Sequence, residues 1–313
     1  VPRRADGFSH EALFYAGPSE FVDSVGAFIR GGVEAGEPVL VMVTADKIEL
    51  LREELGADAD GVTFADMAEA GRNPGRIISA WSDFAAGFLA EGRRMRGVGE
   101  PIWAGRSADE LVECQHHESL LNVAFDHADG FRLICPYDTA ALPADVIEEA
   151  ERSHPVLVMD GQLRASTGYR DAEAIGQRRD PLPPPSVASL EMGFQESNLD
   201  SMRRFVESFA SDAGLAGVRA GDLVVAVSEA AANSVRHGGG EGLVRAWREP
   251  GAVVCEVRDR GRIAEPLVGR FRPESGIHGG FGLWLAHQLC DLVQIRSRRG
   301  GTVVRLHMRL ASA

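Results

Sequence analysis

Two hydrophobic periods alternate along the first half of the chain. HEALFYA at 10–16 is a short apolar run. Phe21, Val25, Phe28 and Ile29 then recur at helical spacing behind Ser19, a candidate N-cap. Glu37-Pro38 interrupts that pattern before VLVMV at 39–43, and continuous apolar strands of this kind suit a sheet covered on both faces. The spacing predicts a helix from Asp46 to Leu55, a short strand at Val62–Phe64 and helices over 74–96 and 109–128. In the last of these, Leu111, Leu120, Leu121 and Phe125 are the apolar positions. A strand at FRLICPYD (131–138) and a short acidic helix from Pro143 to Arg152 follow. Strands alternating with helices predict a doubly wound α/β domain over 8–158, with a mostly parallel sheet.

The pattern then changes. Residues 159–186 are polar and later proline-rich, and PLPPP favours a stiff, extended spacer, so the linker lies here with the domain boundary near Pro183. From 187 to 311 the elements fit an α+β sandwich. Leu199, Met202, Phe205, Val206 and Phe209 share one face of a helix over 197–213. A second helix starts at Asp222, with Val224, Val227, Ala231 and Val235 on one face. Leu243–Trp247 and Ala252–Val257 read as antiparallel strands. A third helix, with Leu283, Ala286, Leu289, Cys290 and Val293 inward, precedes closing strands at 291–296 and 302–308. Helices on one face of a mostly antiparallel sheet give that sandwich.

Charge narrows the function. The 313 residues carry a net charge of −13, and Lys47 is the only lysine. That balance argues against nucleic acid or an anionic membrane as the main partner, because both reward a basic surface. No apolar run approaches the roughly 20 residues of a membrane helix, and VPRRADGFSH lacks the apolar centre of a signal peptide. Cys114, Cys135, Cys255 and Cys290 show no CxxC spacing, so a reduced, cytoplasmic protein is expected.

Ligands of doubly wound folds sit at the carboxyl ends of strands, where this chain offers Thr44-Ala45-Asp46 and Cys135-Pro136-Tyr137-Asp138. Lys47 follows no glycine loop, so no ATP hydrolysis is expected of this half. Cys114-Gln115-His116-His117-Glu118, with His127 and Cys135, invites a metal reading. A closed zinc site needs four converging ligands, and adjacent histidines on a helix face different ways. The segment therefore reads as a polar helix surface with one buried cysteine. The order of elements, HHESLLNVAF, then ICPYD, then Ser153-His154-Pro155, resembles the MEDS sensory domain over residues 10–158. The resemblance implies a recombinase-like α/β fold without a working phosphate loop, which senses a small molecule. Glu118, Asn122, Tyr137 and Asp138 are the candidate pocket residues.

The densest chemistry lies in VVAVSEAAANSVRHGGG at 224–240. Glu229, Asn233 and His237 stand four residues apart and so stack along one helical face. Asn233 is a neutral oxygen ligand suited to a Mg2+ that also holds phosphates. Glu229 lies one turn earlier, where it could take a hydroxyl proton. Asp259 follows a strand and could accept from an exocyclic amine such as that of adenine. The run Gly279-Gly280-Phe281-Gly282-Leu283 opens a helix and lets backbone N–H groups approach an anion.

The order E-x3-N-x3-HG, D-x-G, GGFGL, GT closely resembles the GHKL (Bergerat-type) ATPase domain in its anti-sigma-factor serine kinase branch, over roughly 190–310. That resemblance implies Glu229 as general base, Asn233 as Mg2+ ligand, and Asp259 with Gly261 at the adenine. It also implies Gly280, Gly282 and Leu283 around the phosphates, Thr302 near the adenine and His237 at phosphate. Arg262 replaces the last glycine of D-x-G-x-G, a departure that the branch tolerates.

The implied function is an ATP-dependent protein-serine/threonine kinase using Mg2+. Its substrate would be an anti-anti-sigma factor, with a sigma factor as further partner, a small molecule at the first domain, and a homodimer through the ATPase half. Two alternatives stand beside it. One is a sensor histidine-kinase-like protein, although 163–189 is too short and proline-rich for a phosphoacceptor hairpin and His154 precedes proline. The other is a non-catalytic module in which ATP only sets partner affinity.

Overall fold

The computed structural model describes residues 7–159, 161–170, 180–215, 217–273 and 280–311. Residues 171–179 of the linker and Gly279 of the glycine run lie outside them. The chain divides into two compact units, Val1–Gly176 and Gln177–Ala313.

The first unit is a doubly wound α/β domain. Its strands are β1 (Ser9–Tyr15), β2 (Val39–Val43), β3 (Val62–Asp66), β4 (Met95–Gly99), β5 (Phe131–Asp138), β6 (Val156–Met159) and β7 (Gln162–Ala165). They stand in the order β3-β2-β4-β5-β1-β6-β7, parallel except for the β6–β7 pair. The helices are α1 (Gly17–Glu34), α2 (Ala45–Leu55), α3 (Met67–Ala70), α4 (Ile77–Leu89), α5 (Ala108–Ala124) and α6 (Ala144–Ser153). Leu13, Val41, Val43, Val98 and Ile134 of one sheet face pack on Phe21, Val25 and Ile29 of α1 and Leu51 and Leu55 of α2. The opposite face packs on α4 and α5: Trp81 lies on Gly97, and Glu118 reaches His10. Burial on both faces is why β2 reads as an unbroken apolar run.

Three sequence expectations change here. The helix expected over 74–96 ends at Leu89, and Met95–Gly99 is a central strand. Its glycines hide the strand signal. A Cβ on Gly97 would sit 2.8 Å from the Trp81 ring, so the sheet gives up side chains to seat the indole. Gln162–Ala165, inside the span read as linker, pairs with β6, and its four exposed residues leave no burial pattern to read. Helix α1 starts at Gly17 with Ala16 as N-cap and Pro18 in its first turn, so Ser19 lies within the helix.

The second unit is the α+β sandwich. Strands β8 (Leu190–Gln195), β9 (Glu241–Glu249), β10 (Ala252–Asp259), β11 (Leu292–Arg298) and β12 (Gly301–Arg309) form an antiparallel sheet in the order β11-β12-β10-β9-β8. Helices α7 (Leu199–Asp212), α8 (Val218–His237) and α9 (Phe281–Leu289) share one core with it, including Met202, Val206, Val227, Ala231, Ala286, Val257 and Leu306. The buried face of α8 is Leu223, Ala226, Val227, Ala230, Ala231 and Ser234, while Val224 and Val235 sit at its margins. Edge strand β8 went unread because most of its residues are exposed. Among the described residues no helix is long and apolar enough to cross a membrane.

Candidate functional site

Helix α8 carries Glu229, Asn233 and His237 at successive turns beside the buried Ala230 and Ser234. Strand β10 ends at Asp259, whose carboxylate is held from two sides. Ser234 Oγ donates to Oδ2 and the Gly261 N–H to Oδ1, each at 2.6 Å. Thr302 lies opposite Asp259 on β12 and donates to the Gly261 carbonyl at 2.9 Å. Ser297 Oγ lies 2.9 Å from Thr302 Oγ1 and accepts from the Ile263 N–H at 2.8 Å. The turn after β10 is thereby latched to β11 and β12.

Glycines allow the helix end to meet this turn. A Cβ on Gly238 would lie 2.5 Å from Asp259 Cγ, and one on Gly261 would lie 2.7 Å from Gly238 Cα. Gly280 caps α9 in the left-handed region at φ +87°, where glycine is favoured. A Cβ on Gly282 would sit 2.8 Å from Glu229 Oε2 and 3.1 Å from Asn233 Nδ2. The first turn of α9 therefore lies directly against the polar stripe of α8.

Between these elements opens a cavity of 580 Å³. Asn233, His237, Asp259 and Gly261 line it from α8 and β10, and Gly280, Gly282, Leu283 and Thr302 line it from α9 and β12. All eight predicted cofactor positions thus meet at one cavity, and Glu229 borders it behind Gly282. An oriented carboxylate stands on one side, the N-terminus of α9 and an amide on the other, with Ala230, Ile263, Val268 and Val304 supplying apolar wall. This suits a ligand with a flat, amine-bearing ring and an anionic tail. Arg262 and Glu265 also line it. Arg270 is buried and Arg272 lies 5.9 Å over the Trp284 ring; neither is among the described lining residues. Ser234 and Ser297 escaped the sequence reading because their partners Asp259 and Ile263 lie 25 and 34 residues away along the chain and meet them only in the fold.

The first unit has a smaller cavity of 320 Å³ at the carboxyl ends of β2, β4 and β5. Thr44, Asp46, Lys47, Glu100 and Asp138 line it, as expected for Thr44, Asp46 and Asp138. Lys47 Nζ donates to Glu100 Oε1 at 2.5 Å and to Tyr15 Oη at 2.7 Å, and Tyr15 donates to Glu100 at 2.8 Å. Burial pushes the Glu100 carboxyl up, and Lys47 opposes the shift. Glu118, Asn122 and Tyr137 do not belong to this cavity; they are buried in the core.

Helix α5 also departs from expectation. It is no polar surface: Glu110, Glu113, Cys114, His117, Glu118 and Asn122 are buried, because neighbouring helices and the sheet cover it. Glu118 and Cys135 do come together, but with His10 and His154 rather than with the His116-His117 pair. His127 is exposed. Burial, with His154 alongside, lowers the His10 pKa to about 4.

An oriented aspartate, a polar helical stripe and a glycine-capped helix on this sandwich define a Bergerat-type ATPase fold, preceded by an α/β sensory domain. Residues 9–155 match the family described as "MEthanogen/methylotroph, DcmR Sensory domain" (MEDS), and residues 194–308 match "Histidine kinase-like ATPase domain". The chain carries a MEDS domain followed by a histidine kinase-like ATPase domain. Among solved structures it is similar to the RsbU and RsbW domains of Rv1364c from Mycobacterium tuberculosis, with 22% identity and a TM-score of 0.31. That similarity covers 41% of this chain and 34% of the other, so the match spans about a third of that chain's length. No curated protein matches this chain.

Proposed function

We propose that the chain is an ATP-dependent protein-serine/threonine kinase of the anti-sigma-factor type, regulated by a small molecule at its MEDS domain. One observation carries the reading: Asn233, Asp259, Gly261, Gly280, Gly282 and Thr302 line a single cavity, with Glu229 at its border. The residues fit ATP with Mg2+. Asp259, fixed by Ser234 and Gly261, keeps lone pairs for an adenine amine. The α9 N-terminus receives phosphate, and Asn233 offers Mg2+ a neutral oxygen. Bound there, ATP supplies the phosphoryl group, and catalysis is chiefly positioning and charge neutralisation. Glu229 then takes the proton of a partner's serine or threonine hydroxyl.

The substrate in this reading is an anti-anti-sigma factor, with a sigma factor as competing partner. A histidine-kinase role fits less well, because His154 is fully buried inside the first unit. The cavity at Lys47 and Glu100 is the proposed small-molecule site.

Titration calorimetry with Mg2+ and ATP tests the reading on wild type, Asn233→Ala and Asp259→Ala. Binding by wild type and a loss of at least about tenfold, ~1.4 kcal/mol, in each variant is expected. Phosphotransfer to the serine of an anti-anti-sigma factor should fall about 10²–10⁴-fold in Glu229→Gln with ATP binding kept. No ATP binding by wild type would overturn the nucleotide site. Regulation unchanged in Glu229→Gln would leave a non-catalytic ATP-gated module.

A further inference from the structure

We infer that the first unit holds a buried transition-metal site of the zinc class, formed by His10, Glu118, Cys135 and His154. One ligand atom from each lies within 4.8 Å of all the others, and all four residues are buried. His10 Nε2 is 3.0 Å from Glu118 Oε2 and 3.3 Å from Cys135 Sγ, and His154 Nε2 is 3.2 Å from the same Glu118 oxygen. Ligand atoms of a tetrahedral zinc site, with bonds of about 2.0–2.3 Å, stand about 3.3–3.8 Å apart. The cluster is already near that size.

The hydrogen bonds around the cluster fix which imidazole nitrogens are free. Asn122 donates from Nδ2 to the Ser153 carbonyl at 2.8 Å, so its oxygen faces His10 Nδ1 at 3.3 Å. His10 must therefore carry its proton on Nδ1. His154 Nδ1 lies 2.8 Å from the Ala150 carbonyl, which can only accept, so its proton is on Nδ1 too. Both Nε2 lone pairs then point at a carboxylate oxygen. His154 Nε2 and Glu118 Oε1 have no hydrogen-bond partner although both are buried. The Cys135 thiol can give one weak hydrogen bond to His10 Nε2, whereas a single cation would join both imidazoles, the sulfur and the carboxylate at once.

The donor set selects the metal class. A thiolate with two imidazoles and one carboxylate suits Zn2+, and Co2+ as its spectroscopic substitute, over Mg2+ or Ca2+. Imidazoles held by Nδ1–H bonds to oxygen are the usual outer support of such sites. On binding, the Cys135 thiol gives up its proton to solvent and the sulfur bonds the cation. Four protein ligands make the site closed and structural. It ties β1, α5, β5 and the residue after α6 together across the core, on the sheet face opposite α1.

The test uses the full chain, stripped with a chelator and then titrated with Zn2+ or Co2+. One equivalent is expected to bind. The Co2+ form should show tetrahedral visible bands and a near-ultraviolet thiolate band that vanishes in Cys135→Ser but persists in Cys114→Ser. His10→Ala and His154→Ala should each weaken binding at least about tenfold, and Asn122→Ala, which keeps all four ligands, about 10- to 100-fold. His127→Ala should not change it. Zn2+ should also raise the unfolding temperature of stripped wild type, a readout that needs no variant to fold. Wild type with native circular dichroism that takes up no Zn2+ or Co2+ would overturn the site. Uptake unchanged in all the ligand variants would also do so.

Discussion

Removing the Ser234 hydroxyl tests the adenine end of the proposed site at a single atom. Ser234 is 2% exposed and has one proton to give. It lies 3.1 Å from the Ala230 carbonyl and 2.6 Å from Asp259 Oδ2, so the proton goes to the carboxylate. In Ser234→Ala the carboxylate keeps only the Gly261 N–H as its orienting donor. A hydrogen bond to a charged group contributes roughly 1.5–3 kcal/mol. Asp259 is half-buried, so water replaces part of this, leaving a stability loss of about 1 kcal/mol. That lowers the unfolding temperature of a domain this size by about 4 °C. Binding loses a similar amount, because a freed carboxylate must be ordered again by ligand. Ordering one side chain costs roughly 0.5–1.5 kcal/mol, which weakens ATP about 2- to 12-fold. Calorimetry and thermal unfolding of the same preparations measure both. If Ser234→Ala matches wild type in both while Asp259→Ala abolishes binding, Ser234 does not position the carboxylate. If Asp259→Ala also binds as wild type does, the cavity is not the nucleotide site.

Other expectations follow from packing and charge. Gly301 sits at φ +131° with room for a Cβ only 2.1 Å from the Asp259 carbonyl oxygen, so Gly301→Ala should cost at least about 2–3 kcal/mol in denaturant unfolding. Glu256→Ala should cost about 3–5 kcal/mol, because Arg305 donates two bonds to Glu256 Oε2, at 3.0 and 2.7 Å, and would be left buried without its carboxylate. Glu256→Gln, which keeps an acceptor, should cost less in the same assay. Burial first, and Arg270 second, hold the His287 pKa well below its ordinary 6.5. The folded chain then stays neutral at His287 where the unfolded chain takes up a proton. Its contribution is complete above about pH 6.5 and falls by up to about 1.4 kcal/mol per pH unit below that. The stability profile of His287→Leu should be flatter between pH 6.5 and 5 by that amount.

Sequence alone determined what depends on neighbours along the chain. Steps of four put Glu229, Asn233 and His237 on one helical stripe whatever surrounds it. Alternating strands and helices determined the α/β class of the first unit, and turn glycines marked Gly261 and Gly280 beside strand and helix ends. These are local consequences of helical period and backbone freedom. Tertiary structure decided which distant groups meet. A parallel sheet sets β1 between β5 and β6, so His10 comes beside Cys135, 125 residues later, with no spacing in the sequence to announce it. The same holds for Ser234 and Asp259, joined only because α8 packs across the end of β10. Strand β4 was hidden for a related reason: its glycines answer to Trp81 above them, not to their own neighbours. Register and packing across the core carry this information, and a single chain's local periodicity does not contain it.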